Sequence, residues 1–146
     1  RMHVLAAADL VPAEAQDSLG RPRPDPGVAG RLELLASLVA GGSSAPAPVL
    51  AAVVHGELLT LKPFGVADGV VARAAARLTL IATGLDPKGL TVPEVACLRN
   101  AGRYAALADG FGSGEPDAVA AWLVFCCRTL ADGAREAVSI ADAVAA

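Results

Sequence analysis

The chain has 146 residues, enough for one domain with a substantial core, so no disulfide framework is needed to hold it together. Its apolar fraction is 54%, with 33 alanines and only 3% aromatic residues, which favours closely packed helices over a β-sandwich or β-barrel. The net charge of −3 and the scattered cations exclude a concentrated basic surface for nucleic acid, and every apolar run is shorter than the roughly 18 residues of a membrane span. We therefore predict an all-α protein of the cytoplasm, with neither nucleic acid nor membrane as partner.

The N-terminal part of the chain divides into a short helix and a proline-rich loop. Residues 2–10 have a helical pattern but no N-cap residue before them, so we expect an upstream segment ahead of Arg1. Residues 11–27 hold four prolines and no apolar period, which is typical of a polyproline-like loop. We therefore separate this N-terminal segment, residues 1–27, from a helical domain at residues 28–146.

Apolar residues recur at helical spacing through most of the remaining chain. Together with residues 2–10 they predict six helices, and the five in the helical domain cover 28–40, 49–61, 70–83, 93–108 and 115–144. The last is expected to kink at Gly133. The segment 70–83 is nearly all apolar, so we expect it to be the most buried and central helix. Asp68 precedes this helix and is a good N-cap residue, since its carboxylate can accept hydrogen bonds from free N–H groups of the first turn.

The three cysteines do not form a disulfide or zinc pattern. Cys97, Cys126 and Cys127 are an odd number with two adjacent members and no Cys-x-x-Cys spacing. We expect reduced thiols on helices and no metal site.

Two further pairs of side chains each have two interpretations. His55 and Glu57 could ligate a metal, but side chains two residues apart on a helix point in different directions, which favours a hydrogen-bonded histidine. Arg73 and Arg77 are four residues apart and could bind an anion together, but a solvated helix face or pairing with acidic side chains is favoured.

The junction of residues 62–73, KPFGVADGVVAR, is the one segment whose local structure suggests a site. A glycine-containing loop that leads into a helix exposes unpaired N–H groups and the positive end of the helix dipole, which suit an anion. The segment resembles the signature of the Fic family. The positions of the family's Pro, Phe, second Gly and last Arg are occupied by Pro63, Phe64, Gly69 and Arg73.

The Fic resemblance covers about residues 28–110 and implies a helical bundle around a central buried helix. It also implies a reaction, the transfer of AMP from ATP to a target hydroxyl with the signature His as general base. Lys62 replaces that His, and a protonated lysine cannot accept a proton. The family's magnesium-binding acid, first glycine, asparagine and phosphate-clamping arginine are replaced by Val66, Ala67, Asp68 and Val70. We therefore expect no catalytic residue.

A ligand pocket is the remaining role that the resemblance implies for this junction. Phe64 is expected to be a buried anchor under the central helix, Gly69 to permit a tight turn, and Arg73 to hold a neighbouring carbonyl or carboxylate. The candidate pocket residues are His55, Lys62, Phe64, Asp68, Gly69 and Arg73. The alternative is an ordinary loop before a helix, in which Asp68 satisfies the N–H groups of that helix.

Two hypotheses for function follow. The first is a catalytically degenerate Fic-like domain that binds a protein partner or a small ligand and needs no cofactor. The second is a divergent nucleotidyl or phosphoryl transferase that uses Lys62 as a phosphate-binding cation, with ATP and magnesium. A thermal-shift titration with magnesium nucleotides separates them, because a ligand that binds the folded state stabilises it.

The proline-rich segment bears on how a target would dock. Fic-family members pair the target backbone with a β-hairpin flap, and residues 18–27 are the only visible segment for that role. Their alternating prolines remove hydrogen-bond donors from one strand edge. We therefore predict an unpaired, polyproline-like loop lying on the helices.

Overall fold

The computed structural model describes residues 1–145, so the last residue of the predicted helical domain lies outside the described range. Every regular element in that range is helical, which confirms the all-α class. Besides a 3-10 helix at Ala13–Ser18, the α-helices are α1 (Met2–Ala7), α2 (Pro26–Val39), α3 (Ala47–Leu61), α4 (Asp68–Ala82), α5 (Pro93–Arg99), α6 (Ala101–Gly112) and α7 (Pro116–Ala145). None of these helices is both long enough and apolar enough to cross a bilayer.

The central helix is α3, and the prediction that residues 70–83 form the most buried helix is wrong. Helix α3 packs against α2, α4, α6 and α7. Its buried residues are Leu50, Ala51, Ala52, Val54, Gly56, Leu58 and Leu61. In α4, by contrast, Val70 and Leu78 are 48% and 51% exposed. The apolar character of a helix does not reveal how many neighbours cover it, and α3 is covered on more sides.

The predicted helix 93–108 is two helices, which is the main reason why the count of six is too low. Helix α5 ends at Arg99 and α6 begins at Ala101. At Asn100 the backbone has φ −120° and ψ 34°, and the side-chain Nδ2 donates to Ala96 O at 2.9 Å. An asparagine side chain that bonds the backbone in this way competes with regular helix geometry and marks the break.

Helix α7 is continuous through Gly133, where a kink was expected. The glycine instead permits close packing, because a Cβ there would lie 2.5 Å from Pro93 N and 2.7 Å from Val92 C. The Val92 N–H donates to Gly133 O across this contact at 3.2 Å. The start of α5 is thereby held directly against the backbone of α7.

An aromatic cluster fixes α7 and α6 on α3. Trp122 is fully buried, and its indole N–H donates to Ala52 O at 2.9 Å. The ring centroid of Phe111 lies 6.0 Å from that of Trp122. Gly56 of α3 faces both rings, and a Cβ there would approach Phe111 Cδ1 to 2.7 Å and Trp122 Nε1 to 2.8 Å. The absence of a side chain at position 56 therefore lets the helices approach closely.

The N-terminal segment lies on the helical body, as expected for residues 18–27. Helix α1 packs against α4, and it ends at Ala7, earlier than predicted. Part of the predicted loop is the 3-10 helix, but residues 21–26 form no strand. Arg23 fastens them to the end of α3, since its N–H donates to Pro63 O at 2.8 Å and its guanidinium donates to Leu61 O at 3.0 Å.

Candidate functional site

Asp68 does not act as the predicted N-cap. It is the first residue of α4, and its carboxylate accepts the Phe64 N–H at 2.9 Å. The N-cap position belongs to Ala67, which has a left-handed backbone with φ 58°. This turn directs the Asp68 carboxylate back across the loop, where the carboxylate holds the loop closed. The Asp68 side chain therefore does not cap the N–H groups in the first turn of α4.

Phe64 is a partly buried residue rather than an anchor under the central helix. Its ring stacks on His3 of α1, with ring centroids 4.1 Å apart and planes 8° from parallel. His3 Nδ1 accepts the Gly20 N–H at 2.9 Å, while His3 Nε2 is buried without a hydrogen-bond partner among the described residues. Sequence reasoning missed this stack because the two rings come from segments 61 residues apart in the chain.

Gly69 and Lys62 also differ from their expected roles. Gly69 is helical within the first turn of α4, whereas the left-handed turns of this loop occur at Lys62, Gly65 and Ala67. The tight turn therefore does not depend on Gly69. Lys62 is exposed and ends α3, with φ 46° and its N–H donating to Leu58 O at 3.2 Å.

A cavity of about 60 Å³ lies between α3, α4, α5 and α7. Much of its wall is apolar, formed by Pro48, Ala51, Ala52, Ala76, Leu80 and Leu130. Of the six candidate residues, His55 and Arg73 line this cavity and the other four do not. The structure thus divides the candidates between the α3–α4 loop and the cavity.

Arg73 and Arg77 have different partners, which answers the question left open by their spacing. The Arg77 guanidinium donates to both oxygens of Glu94, at 3.0 and 2.9 Å, and to Gly89 O at 2.8 Å. Arg73 is partly buried, and no carboxylate of residues 1–145 lies within 4 Å of its guanidinium. The charge of Arg77 is thus neutralised by its ion pair with Glu94, whereas the positive charge of Arg73 lies at the cavity wall without a carboxylate partner.

His55 is a hydrogen-bonded histidine, as its position relative to Glu57 indicated. Its Nε2 lies 2.9 Å from the Tyr104 hydroxyl, and Glu57 pairs separately with Arg31 at 2.7 Å. The pKa of His55 is lowered to about 4, mainly by burial and also by the positive charge of Arg73, while the negative charge of Glu94 opposes the shift. The imidazole beside the cavity is therefore neutral at pH 7.

Two thiols complete the lining of the cavity. Cys97 and Cys126 lie on helices, as expected, and both are free and partly buried. Burial raises the pKa of the Cys97 thiol and that of the Cys126 thiol above the usual value, so both are neutral at pH 7. No group of three or more potential His, Cys, Asp or Glu metal ligands forms within residues 1–145.

The cavity combines a cation without a carboxylate partner, a neutral imidazole, two neutral thiols and apolar walls. Such a site suits an anion, because a partly buried guanidinium gains charge-assisted hydrogen bonds from a charged acceptor beside apolar walls. The sequence signals for it were the Arg73–Arg77 spacing and the naming of His55 and Arg73 among the candidate pocket residues. The thiols and Glu94 come from α5 and α7, and the sequence pattern does not reveal that these helices face α4 across the cavity.

Comparison of the chain with models of protein families, with curated proteins and with solved structures found no match.

Proposed function

We propose that this chain is a catalytically degenerate Fic-like domain that works as a small-ligand-binding module, holding a small anion against Arg73 in the cavity. The observation that carries the proposal is the partly buried Arg73 guanidinium, which has no carboxylate within 4 Å among residues 1–145. The neighbouring Arg77 shows the contrast, because Glu94 neutralises it. An arginine beside an apolar cavity gains hydrogen bonds and charge compensation when an anion binds.

The α3–α4 loop supports an anion less well than the cavity does. The Asp68 carboxylate lies at the start of α4, where it accepts the Phe64 N–H. A phosphate at that helix end would approach this carboxylate and be repelled. Transfer chemistry by way of Lys62 also has no support from the loop, since Lys62 is exposed and Val66 offers no oxygen for magnesium.

The proposal is tested by thermal unfolding in a series of sodium salts at constant ionic strength, with gluconate as the bulky balancing anion. A small anion that binds at Arg73 raises the melting temperature, by about 8 °C at a hundredfold excess over Kd. Arg73→Met should abolish the rise. Arg99→Met is the matched control, because the Arg99 side chain is 69% exposed and does not line the cavity, and it should keep the rise.

The same experiment distinguishes the transferase hypothesis. If magnesium with ATP, GTP or CTP stabilises the protein strongly, and Lys62→Met removes that effect, the transferase is favoured over the binding module. If no small anion stabilises the wild-type protein, or if Arg73→Met responds as the wild type does, the proposed anion site is wrong.

A protein-binding role is the other form of the degenerate-domain proposal, and the end of α7 favours it. Val138, Ile140 and Val144 are 60%, 50% and 83% exposed on that helix. Ile140 and Val144 are four residues apart and lie on one face of the helix, and exposed apolar side chains that share a face are typical of an interaction surface. Sedimentation velocity over a range of concentrations tests association between copies of the chain. Concentration-dependent dimers that Val144→Asp abolishes would support this role, and a monomer at all concentrations would oppose association between copies.

A further inference from the structure

The size of the cavity limits the ligand that can bind at Arg73. Its volume is about 60 Å³, far below the roughly 300–1,000 Å³ of pockets for drug-sized ligands. The cavity therefore suits a small ligand. A nucleotide or a sugar phosphate is much larger than this space, whereas acetate, propionate and butyrate are among the smallest organic anions.

The charge around the cavity favours a monovalent ligand. Arg73 and Arg77 contribute two positive charges, and Glu94, which pairs with Arg77 at 2.9 Å, contributes one negative charge. The neutral imidazole of His55 and the neutral thiols add none. A monoanion thus balances the remaining charge of Arg73, whereas a dianion would leave an uncompensated charge beside Glu94.

The walls favour an organic anion over an inorganic oxyanion. Ala76 and Leu80 of α4 face the cavity together with Leu130 of α7 and Pro93 of α5. A sulfate or phosphate ion would turn oxygen atoms toward these apolar side chains and lose their hydration without compensation. An alkyl chain gains from contact with the same walls.

The hydroxyl groups near the cavity are already engaged, which leaves few donors for a many-oxygen anion. Thr129 Oγ1 donates to Cys126 O at 3.0 Å, and Thr91 Oγ1 donates to the Asp86 carboxylate at 2.6 Å. The guanidinium of Arg73, which also lies beside the Tyr104 hydroxyl, therefore remains the main donor for a ligand. Its parallel N–H groups match the two oxygens of one carboxylate.

Building on the proposed anion site, we infer that the ligand is a short-chain monocarboxylate of about two to four carbons, with its carboxylate on Arg73 and its alkyl chain against Ala76, Leu80 and Leu130. Charge selects one carboxylate, cavity size sets the chain length, and the apolar walls disfavour inorganic anions. Residues of α4 and α7 together therefore determine which ligand binds.

The inference is tested by isothermal titration of the full chain with formate, acetate, propionate, butyrate and hexanoate, and with phosphate, sulfate and propionamide. Affinity should rise about fourfold for each added CH₂ up to butyrate, and fall for hexanoate. Propionamide lacks the charge and should bind at least tenfold more weakly than propionate. Phosphate and sulfate should also bind more weakly than propionate.

Two variants of the walls test the position of the alkyl chain. Ala76→Leu fills the cavity and should weaken propionate at least tenfold, while Leu130→Ala enlarges the cavity and should shift the preferred chain length to longer acids. Circular dichroism establishes that each variant is folded, and because the two changes act in opposite directions, either folded variant is informative. Arg99→Met should leave all affinities unchanged.

The outcomes separate this inference from the proposed function. If anions bind and Arg73→Met abolishes their binding, but phosphate or sulfate binds as tightly as propionate or chain length has no effect, the carboxylate inference is wrong and the anion site stands. If Arg73→Met leaves propionate binding unchanged, or if nothing in the series binds, both are wrong.

Discussion

The partly buried, neutral His55 should make the stability of this protein depend on pH between 7 and 4. Burial is the main cause that lowers its pKa from 6.5 to about 4 in the folded state. In the unfolded chain the imidazole returns to its usual pKa and takes up a proton at higher pH than the folded protein does. Stability from this group is therefore full above pH 6.5 and is lost as pH falls toward 4.

The magnitude follows from the two pKa values. A difference of 2.5 units, the gap between 6.5 and about 4, corresponds to a total loss of about 3 kcal/mol once the pH is below both values. At pH 5 the unfolded imidazole is almost fully protonated and the folded one is mostly neutral. The loss at that pH is about 2 kcal/mol.

The assay is urea unfolding at pH 7.5, 6.5, 5.5 and 5.0 for the wild type and for His55→Gln. Glutamine can still hydrogen-bond the Tyr104 hydroxyl, which lies 2.9 Å from His55 Nε2, but it does not titrate. All other ionisable groups are present in both proteins, so the difference between the two profiles isolates His55. We expect the wild type to lose about 2 kcal/mol more than the variant between pH 7.5 and 5.0. Parallel profiles would refute the assignment of an imidazole that stays neutral in the folded protein at pH 5.

Gly133→Ala should destabilise the fold by about 2 kcal/mol, because its Cβ would lie 2.5 Å from the Pro93 backbone. The control Gly102→Ala has open space around its Cβ and should stabilise α6 by up to about 1 kcal/mol. Equal urea midpoints for the two variants would contradict the close contact at Gly133. Gly56→Ala should cost about 2 kcal/mol and perturb the fluorescence of Trp122, and an unchanged emission spectrum and midpoint would argue against that packing. Asp86→Ala should lower the free energy of unfolding in urea by roughly 2 kcal/mol, since the buried carboxylate accepts three hydrogen bonds from Leu90 and Thr91. A decrease below about 0.5 kcal/mol would show that these bonds contribute little.

The helical class and most helix positions could be predicted from local sequence properties. Alanine-rich segments with apolar residues at helical spacing, separated by glycine and proline, place α2, α3, α4 and α7 to within a few residues. The break between α5 and α6 depends on the side chain of Asn100 bonding Ala96 O. The asparagine was visible in the sequence, but the choice between its helical and bonded conformations was not.

The candidate site was harder to predict because it depends on which helices touch. The spacing of Arg73 and Arg77 identified a cationic face on α4, and the position of Glu94 on α5 decides which of the two arginines is neutralised. The loop residues Phe64 and Asp68 were assigned roles from local pattern alone. In the structure Phe64 stacks on His3, and the Asp68 carboxylate accepts the Phe64 N–H. Both contacts depend on chain reversal and loop geometry, which the local sequence pattern does not encode.

The most direct measurement of the central claim is the side-chain Nε–Hε resonance of Arg73 in a ¹H–¹⁵N correlation spectrum during a titration with propionate. We expect the chemical shift of this resonance to change as propionate fills the site, because the Arg73 guanidinium then acquires a carboxylate partner. The exposed Arg99 serves as an internal control and should barely move. A spectrum in which Arg73 stays fixed while propionate is raised to saturating concentration, or in which only exposed arginines respond, would contradict an anion site in the cavity.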